Sequence, residues 1–171
     1  MQKQLTKRES NMKRVFLLMA AAVLSLAAAC TPATDSGSGY RIRNADKVQI
    51  RMLDSVNALR QAAGAPTVQL NAELTAAAAT HSRDMSVQNR PWHFGSDGSS
   101  PLDRIARAGY TGKLLGENIS ETYENEQQTL SAWLEQPATR AVILDPKAVN
   151  MGFSWFQEPS GKIWWTMVMA N

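Results

Sequence analysis

Two histidines and one glutamate carry most of the chemistry that this chain offers. His81 and His93 are the only histidines among 171 residues. His93 lies in the stretch RPWHFGSDG, residues 90–98, between Trp92 and Phe94 and ahead of a turn-rich run. An imidazole titrates near neutral pH and can act as base, acid or metal ligand. Glu117, in KLLGENIS, is a further candidate for acid/base or metal-binding work, with some neighbouring acids and hydroxyls. Zinc takes three or four N, O or S ligands. His81, His93 and Glu117 are the candidates for such a set. A serine-type triad needs a nucleophile and an orienting acid within hydrogen-bond reach of the histidine. Ser96 and Ser99 are nearby in sequence, but nothing singles one out. There is no phosphate-binding glycine loop, no His-Glu-x-x-His helix and no paired-cysteine metal site.

Each residue also has a plainer reading. His93 could simply anchor its loop, packed between Trp92 and Phe94. Glu117 could cap backbone amides or pair with His93. His81 falls on an alanine-rich apolar stripe and reads as a hydrogen-bonded core residue. The tryptophans read as core, or as the wall of an apolar groove.

The elements that must position these residues are visible in the periodicity. Residues 45–63 read as a helix, with Val48, Met52, Val56, Leu59 and Ala63 at three- and four-residue steps; Gly64 and Pro66 stop it. A second helix follows Asn71 as its N-cap, with Leu74, Ala78, His81 and Met85 on one face. Residues 89–100 read as loop. A short helix follows, with Ser100 as N-cap, Pro101 in its first turn and Gly109 closing it. KLLGENIS is ambiguous. NEQQTLSAWLEQ reads as a helix with Leu130, Trp133 and Leu134 on one face, ended by Pro137. Residues 149–170 read as two strands around a Pro-Ser-Gly turn. Met151, Phe153 and Trp155 share a face of the first, and Ile163, Trp165, Met167 and Met169 share a face of the second. Helices followed by an antiparallel pair indicate an α+β class with layered helices.

The N-terminal part has a different character. Met12-Lys13-Arg14 is a short positive region and a more ordinary start than Met1. Val15 to Ala29 is an apolar run of 15 residues broken only by Ser25, against about 20 for a membrane span. It leads into small residues, SLAAAC, the layout of a secretory signal. Cys30 is the single cysteine, placed as in a bacterial lipoprotein signal, where it becomes the lipidated first residue; a plain signal peptide cut nearby is the alternative. The reading is therefore a leader over 1–30, a flexible Gly/Ser-containing tether over 31–44 and a domain over 45–171. Thr31 after Cys30 resembles the pattern of outer-membrane lipoproteins. Of 18 Lys and Arg residues, five lie in the first 30, with one of the 15 acids. From Thr31 on, basic and acidic residues nearly balance, so the overall charge of +3 gives no case for nucleic acid.

Taken in order, Asn57 with Arg60, HSRDM from His81 to Met85, PWHFGSDG, Arg104, Gly109-Tyr110, Gly116-Glu117-Asn118, Trp133 and Trp165-Thr166 form a series. The series resembles the CAP superfamily of cysteine-rich secretory, antigen 5 and pathogenesis-related proteins, in its bacterial, disulfide-free branch. The resemblance runs from about residue 45 onward. It implies an α-β-α sandwich with a small antiparallel sheet between helical layers. It also implies a cleft gathering two histidines and two acids, which in some members hold a divalent metal, often zinc. His93 matches the loop histidine and Glu117 the acid. The rest does not carry over. Thr139 stands where bacterial members place their second histidine, and Trp164 where animal and plant members place theirs. Met167 replaces a glutamine, and Gln136, beside Glu135, stands where the second acid would be.

Three functional readings follow. The first is an exported, lipid-anchored envelope protein that uses a His93/Glu117 cleft to bind a ligand, a lipid or small apolar molecule, or an envelope protein partner. Its location would be the cell envelope, with a soluble periplasmic or secreted form as the alternative. Family members have been linked to lipid or sterol binding and to proteolysis. The second reading is a metal-assisted or acid/base hydrolase using His93 and Glu117, with His81 as a further metal ligand and zinc as the implied cofactor. The incomplete set counts against it. The third is a structural interaction module with a vestigial cleft.

Overall fold

The computed structural model describes residues 40–122 and 124–171. The leader, the lipidation candidate Cys30 and the tether up to residue 39 lie outside the described residues. Helix α1 spans Ala45–Ala62. Asn44 caps it by accepting from the Lys47 N–H, and it buries Val48, Met52, Val56 and Arg60, one face of a 3.6-residue period. Strand β1 is the two-residue Gln69–Leu70. Helix α2, Ala72–Gln88, starts at Asn71, whose side chain accepts from the Leu74 N–H, and stops at Asn89 in the left-handed conformation, φ 48°, a common helix end. Leu74, Ala78, His81 and Met85 are all buried on it. Helix α3, Pro101–Arg107, opens with a reciprocal Ser100–Asp103 capping box and Pro101 in its first turn.

The ambiguous segment is strand β2, Leu114–Thr122. Helix α4, Glu126–Glu135, carries a second capping box between Asn125 and Gln128. Pro137 was expected only to end that helix. It also begins another, α5, Pro137–Leu144, because proline at a first helical position forfeits no hydrogen bond. Strands β3, Asn150–Gln157, and β4, Ile163–Ala170, complete the domain.

The strands form one sheet in the order β1-β3-β4-β2. β4 pairs antiparallel with both β3 and β2, whereas β1 pairs parallel with β3. The sheet is therefore mixed rather than purely antiparallel, since β1 and β3 enter it from the same end. All eight residues of β4 are buried, as a strand covered on both faces must be. On one face Ile163, Trp165, Met167 and Met169 join Met151 and Phe153 against α1, α4 and α5. Trp165 stacks on Phe153 with centroids 5.6 Å apart. On the other face Val168 and Ala170 pack against Leu74, Ala77 and Ala78 of α2 and Ile105 of α3. This is the α-β-α sandwich.

Two contacts hold the layers at their spacing. Gly152 lies under α2, where a Cβ would collide with the backbone of Leu74. On the other side, buried Arg60 donates to the carbonyls of Pro66, Ile143, Asp145 and Ala148. It thereby joins the end of α1 to the C-terminal end of α5 and the approach to β3. The last residues of the expected tether also belong to the domain. Tyr40 donates its hydroxyl to Glu126 Oε2, Gln157 Nε2 donates to the Tyr40 carbonyl, and the Ile42 N–H donates to Gln157 Oε1. Arg41 donates to the carbonyls of Glu158 and Pro159 in the β3–β4 turn.

Gly152→Ala should lower stability by about 1–3 kcal/mol, the usual cost of overpacking. A urea midpoint that falls at unchanged slope is the expected result. An unchanged midpoint would mean that α2 can lift from β3 freely.

Candidate functional site

The site begins with an irregularity in β2. Leu114 lies opposite Ala170 and Gly116 opposite Met169, with a register shift between them. That extra residue acts as a β-bulge, and it places Glu117 opposite Val168. Residues opposite one another share a face of a sheet, so Glu117 points into the α2 layer. An unbroken ladder would have set it opposite Met167, in the other core.

Glu117 is 3 % exposed in its side chain. A buried carboxylate must be met by charge and hydrogen bonds, and two elements supply them while a third closes in beside it. Arg104 of α3 places Nη2 2.7 Å from Oε2. His93 of the loop places Nδ1 2.9 Å from Oε1. His81 of α2 holds Nε2 3.7 Å from the same oxygen and 2.9 Å from the carbonyl of Trp92. Arg104 also donates to the carbonyls of His93 and Ser99.

The tautomers follow from these partners. His93 Nδ1 faces a carboxylate oxygen, so it carries the proton and donates. In the neutral ring Nε2 keeps its lone pair, on a side chain 51 % exposed. His81 Nε2 faces only acceptors and donates to Trp92. Its Nδ1 is buried without a partner. Burial is the largest influence on His81 and pushes its pKa below the ordinary value; Glu117 opposes the shift and Arg104 adds to it.

The rest of the loop is held just as tightly. Asp84 of α2 accepts from both the N–H and the hydroxyl of Ser96, each at 2.6 Å. Trp92 Nε1 donates to Gln88 Oε1, and its ring meets that of Phe94 at 5.7 Å. His93 thus anchors its loop and also faces Glu117, combining the two readings of its sequence. His81 is the buried, hydrogen-bonded histidine that its apolar stripe indicated.

The donor set does not suit a resident zinc ion. His93 Nδ1 and Glu117 Oε1 are bonded to each other, Oε2 is bonded to a guanidinium, and His81 Nε2 is given to a carbonyl. Among the described residues, no group of three His, Cys, Asp or Glu side chains is placed to hold a metal ion. Thr139 lies on the opposite side of the sheet from Glu117. Its carbonyl accepts from Asn118 and its hydroxyl donates to the carbonyl of Trp133. Trp164 is buried and donates to Glu158 Oε1.

Apart from the His93–Glu117 contact, a groove of about 640 Å³ lies between α2, the loop at 96–99 and α3. Ala76, Ala77 and Thr80 line it, as do Arg83, Arg107 and Arg104. Arg104 is the residue shared by the groove and the Glu117 centre. Sequence reasoning noted Arg104 only as part of a motif series. Its helical spacing, on the same face as Pro101 and Ala108 and next to Ile105, was the available signal.

Two expectations test the centre. Arg104→Met should cost about 3–5 kcal/mol, since it strands a buried charge, and adding Glu117→Gln should return most of that loss in a double-mutant cycle. For His81, the unfolded chain takes up a proton near pH 6.5 while the folded chain resists it. That stability is complete above about pH 6.5 and is lost as the pH falls below it. The denaturant midpoint should therefore fall between about pH 7 and pH 5, and less steeply in His81→Gln. Equal slopes would show that His81 is not the group responsible.

Comparisons with known proteins agree with this architecture. A model of the cysteine-rich secretory protein family, CAP, matches residues 53–169. The uncharacterized protein YkwD of Bacillus subtilis is 29 % identical over 114 residues, covering 67 % of this chain and 44 % of YkwD. The chain thus spans less than half the length of that curated relative. An extracellular protein containing an SCP domain from Bacillus anthracis superposes with a TM-score of 0.65 at 20 % identity, over 77 % of this chain and 45 % of that one. An outer surface protein of Borrelia burgdorferi gives 0.64 at 13 % identity, over 78 % and 98 %. At such identities the two structures attest to the fold alone. The family match covers well over half of the sequence, in the region that builds the sandwich and the Glu117 centre, and the chain belongs to the CAP family.

Proposed function

We propose that the chain is an exported envelope protein, anchored by a lipid on Cys30, that works by binding rather than by catalysis. The observation that carries this reading is the state of Glu117. Its carboxylate is matched on one oxygen by Arg104 and on the other by His93, which makes it a structural keystone and a poor general base. Among the described residues, no hydroxyl or thiol is hydrogen-bonded to His93. The groove beside Arg104 is lined by small apolar residues, by Arg83 and Arg107 and by Asp84 and Asp97, with Arg107 paired to Asp97, a mixed lining that suits a small amphiphile. Among the described residues no helix is long and apolar enough to cross a membrane. The extracellular and outer-surface descriptions of the B. anthracis and B. burgdorferi proteins favour the same location.

One observation favours hydrolysis instead. Glu117 orients His93 so that Nε2 is open to solvent, and such a dyad could activate water. A metal would strengthen that case, and zinc titration separates the two readings. Calorimetry on the mature chain, residues 30–171, should show no micromolar zinc site. Micromolar binding that disappears in His93→Ala would overturn the binding-module reading and make a metal-assisted hydrolase the better account.

A further inference from the structure

The strap at 40–42 and the C-terminal end of α2 meet at the same end of the domain. Arg41 is bonded to the β3–β4 turn at Glu158 and Pro159. Ser86 of α2 donates to Glu158 Oε1 at 2.7 Å, and Lys162, just after the turn, donates to Asn89 Oδ1 at 3.2 Å. Cys30 precedes Tyr40 by ten residues, a reach of at most about 35 Å even when fully extended. A lipid on Cys30 would therefore hold this end of the domain close to a bilayer.

The chemistry of this end is unusual for a water-facing surface. Val87 is 76 % exposed and Phe94 48 % exposed. Gln88 joins them: its Nε2 donates to the Phe94 carbonyl, and its Oε1 accepts from Trp92 Nε1. The Arg90 guanidinium lies 3.9 Å over the Trp92 ring, and Arg83 lies over Phe156. Arg41, Arg83, Arg90 and Lys162 stand here with three carboxylates, Asp84, Glu121 and Glu158, and Asp84 takes hydrogen bonds from Gln88 and Ser96. Glu121 is paired with Lys162, and Glu158 takes hydrogen bonds from Ser86, Ser160 and Trp164. Arginine beside tryptophan and exposed apolar tips is the composition that settles at the headgroup layer. The rings sit at the interface, and the cations meet lipid phosphates.

We propose that this end, formed by Val87, Arg90, Trp92 and Phe94 with the Arg41 strap, is a docking surface for an anionic lipid bilayer. The proposal rests on the Cys30 anchor reading for its proximity argument. If the surface lies on the membrane, the His93 loop is held at the bilayer and the groove opens beside it.

The test uses the mature chain, residues 30–171, with Cys30→Ser so that no acyl chain is present. The protein is sedimented with phosphatidylcholine vesicles, with and without phosphatidylglycerol. Binding is expected only where phosphatidylglycerol is included, and it should weaken with added salt. Arg90→Glu should reduce the partition by about fivefold or more, following the contribution of one cation near an anionic surface. Phe94→Ser should reduce it too. Lys113→Glu, beside the Ala170 end of the sheet, should not, and thermal melts confirm that each variant is folded. No binding to phosphatidylglycerol vesicles, binding indifferent to lipid charge, or an equal loss in Lys113→Glu would each overturn the proposal. The anchor is read separately, by labelling the precursor in cells with an alkynyl fatty acid. An unlabelled Cys30 beside vesicle binding refutes the anchor and sustains the surface. A labelled Cys30 beside vesicle indifference does the reverse.

Discussion

A carboxylate that is almost wholly buried sets the terms for one half of this domain. Glu117 sits on an edge strand but faces inward, and its charge has to be met where it lies. The groups that meet it come from two separate elements. Arg104 brings α3 and His93 brings the loop after α2, and His81 ties that loop to α2 through the Trp92 carbonyl. Arg104 then spends its other nitrogen on the His93 and Ser99 carbonyls, so the residue that neutralises Glu117 also closes the loop around it. The layer beneath β2 and β4 is thus organised by electrostatics as much as by apolar contact. The opposite layer is organised differently, by stacked aromatics and by a guanidinium, Arg60, bonded only to carbonyls.

Much of the architecture was legible because local and tertiary demands agree. Asn71 and Ser100 cap the helices they precede, and the apolar steps of α1 and α2 fall on the buried faces. The alternation in β3 and β4 matches their two cores. What escaped notice did so for physical reasons. β2 has no clean alternation, because the bulge sets Leu115 and Gly116 in succession toward one layer. Its clearest polar residue is buried by ion pairing, which a hydropathy pattern cannot reveal. β1 has two residues, too few for any period. α5 hid behind Pro137, since a proline that terminates one helix is equally suited to open the next.

The site was legible only in part. A motif series links His93 with Glu117, which lie 2.9 Å apart, and the helical face of His81 points it to the core, where it is buried. The role of Arg104 depends on where α3 rests against β2, which no spacing in the sequence encodes. The groove likewise exists only where α2, α3 and the loop come together. The described part of the tether, residues 40–44, reads as polar and loop-like, yet it is bound through Tyr40 and Ile42. Its partners, Glu126 and Gln157, lie far along the chain.

The position of β4 bears on how the domain comes into being. Both β2 and β3 depend on β4 for their antiparallel partner, and both helical layers pack on its two faces. β2 must therefore wait some forty residues of chain before it can pair. A polypeptide emerging N-terminus first would display helices and an unmatched strand. It could close neither core until β4 had emerged. Such long-range closure leaves no native-like part to form ahead of the last strand. A chain of this design stays threadable until β4 has been made, and its tertiary structure forms in one late step.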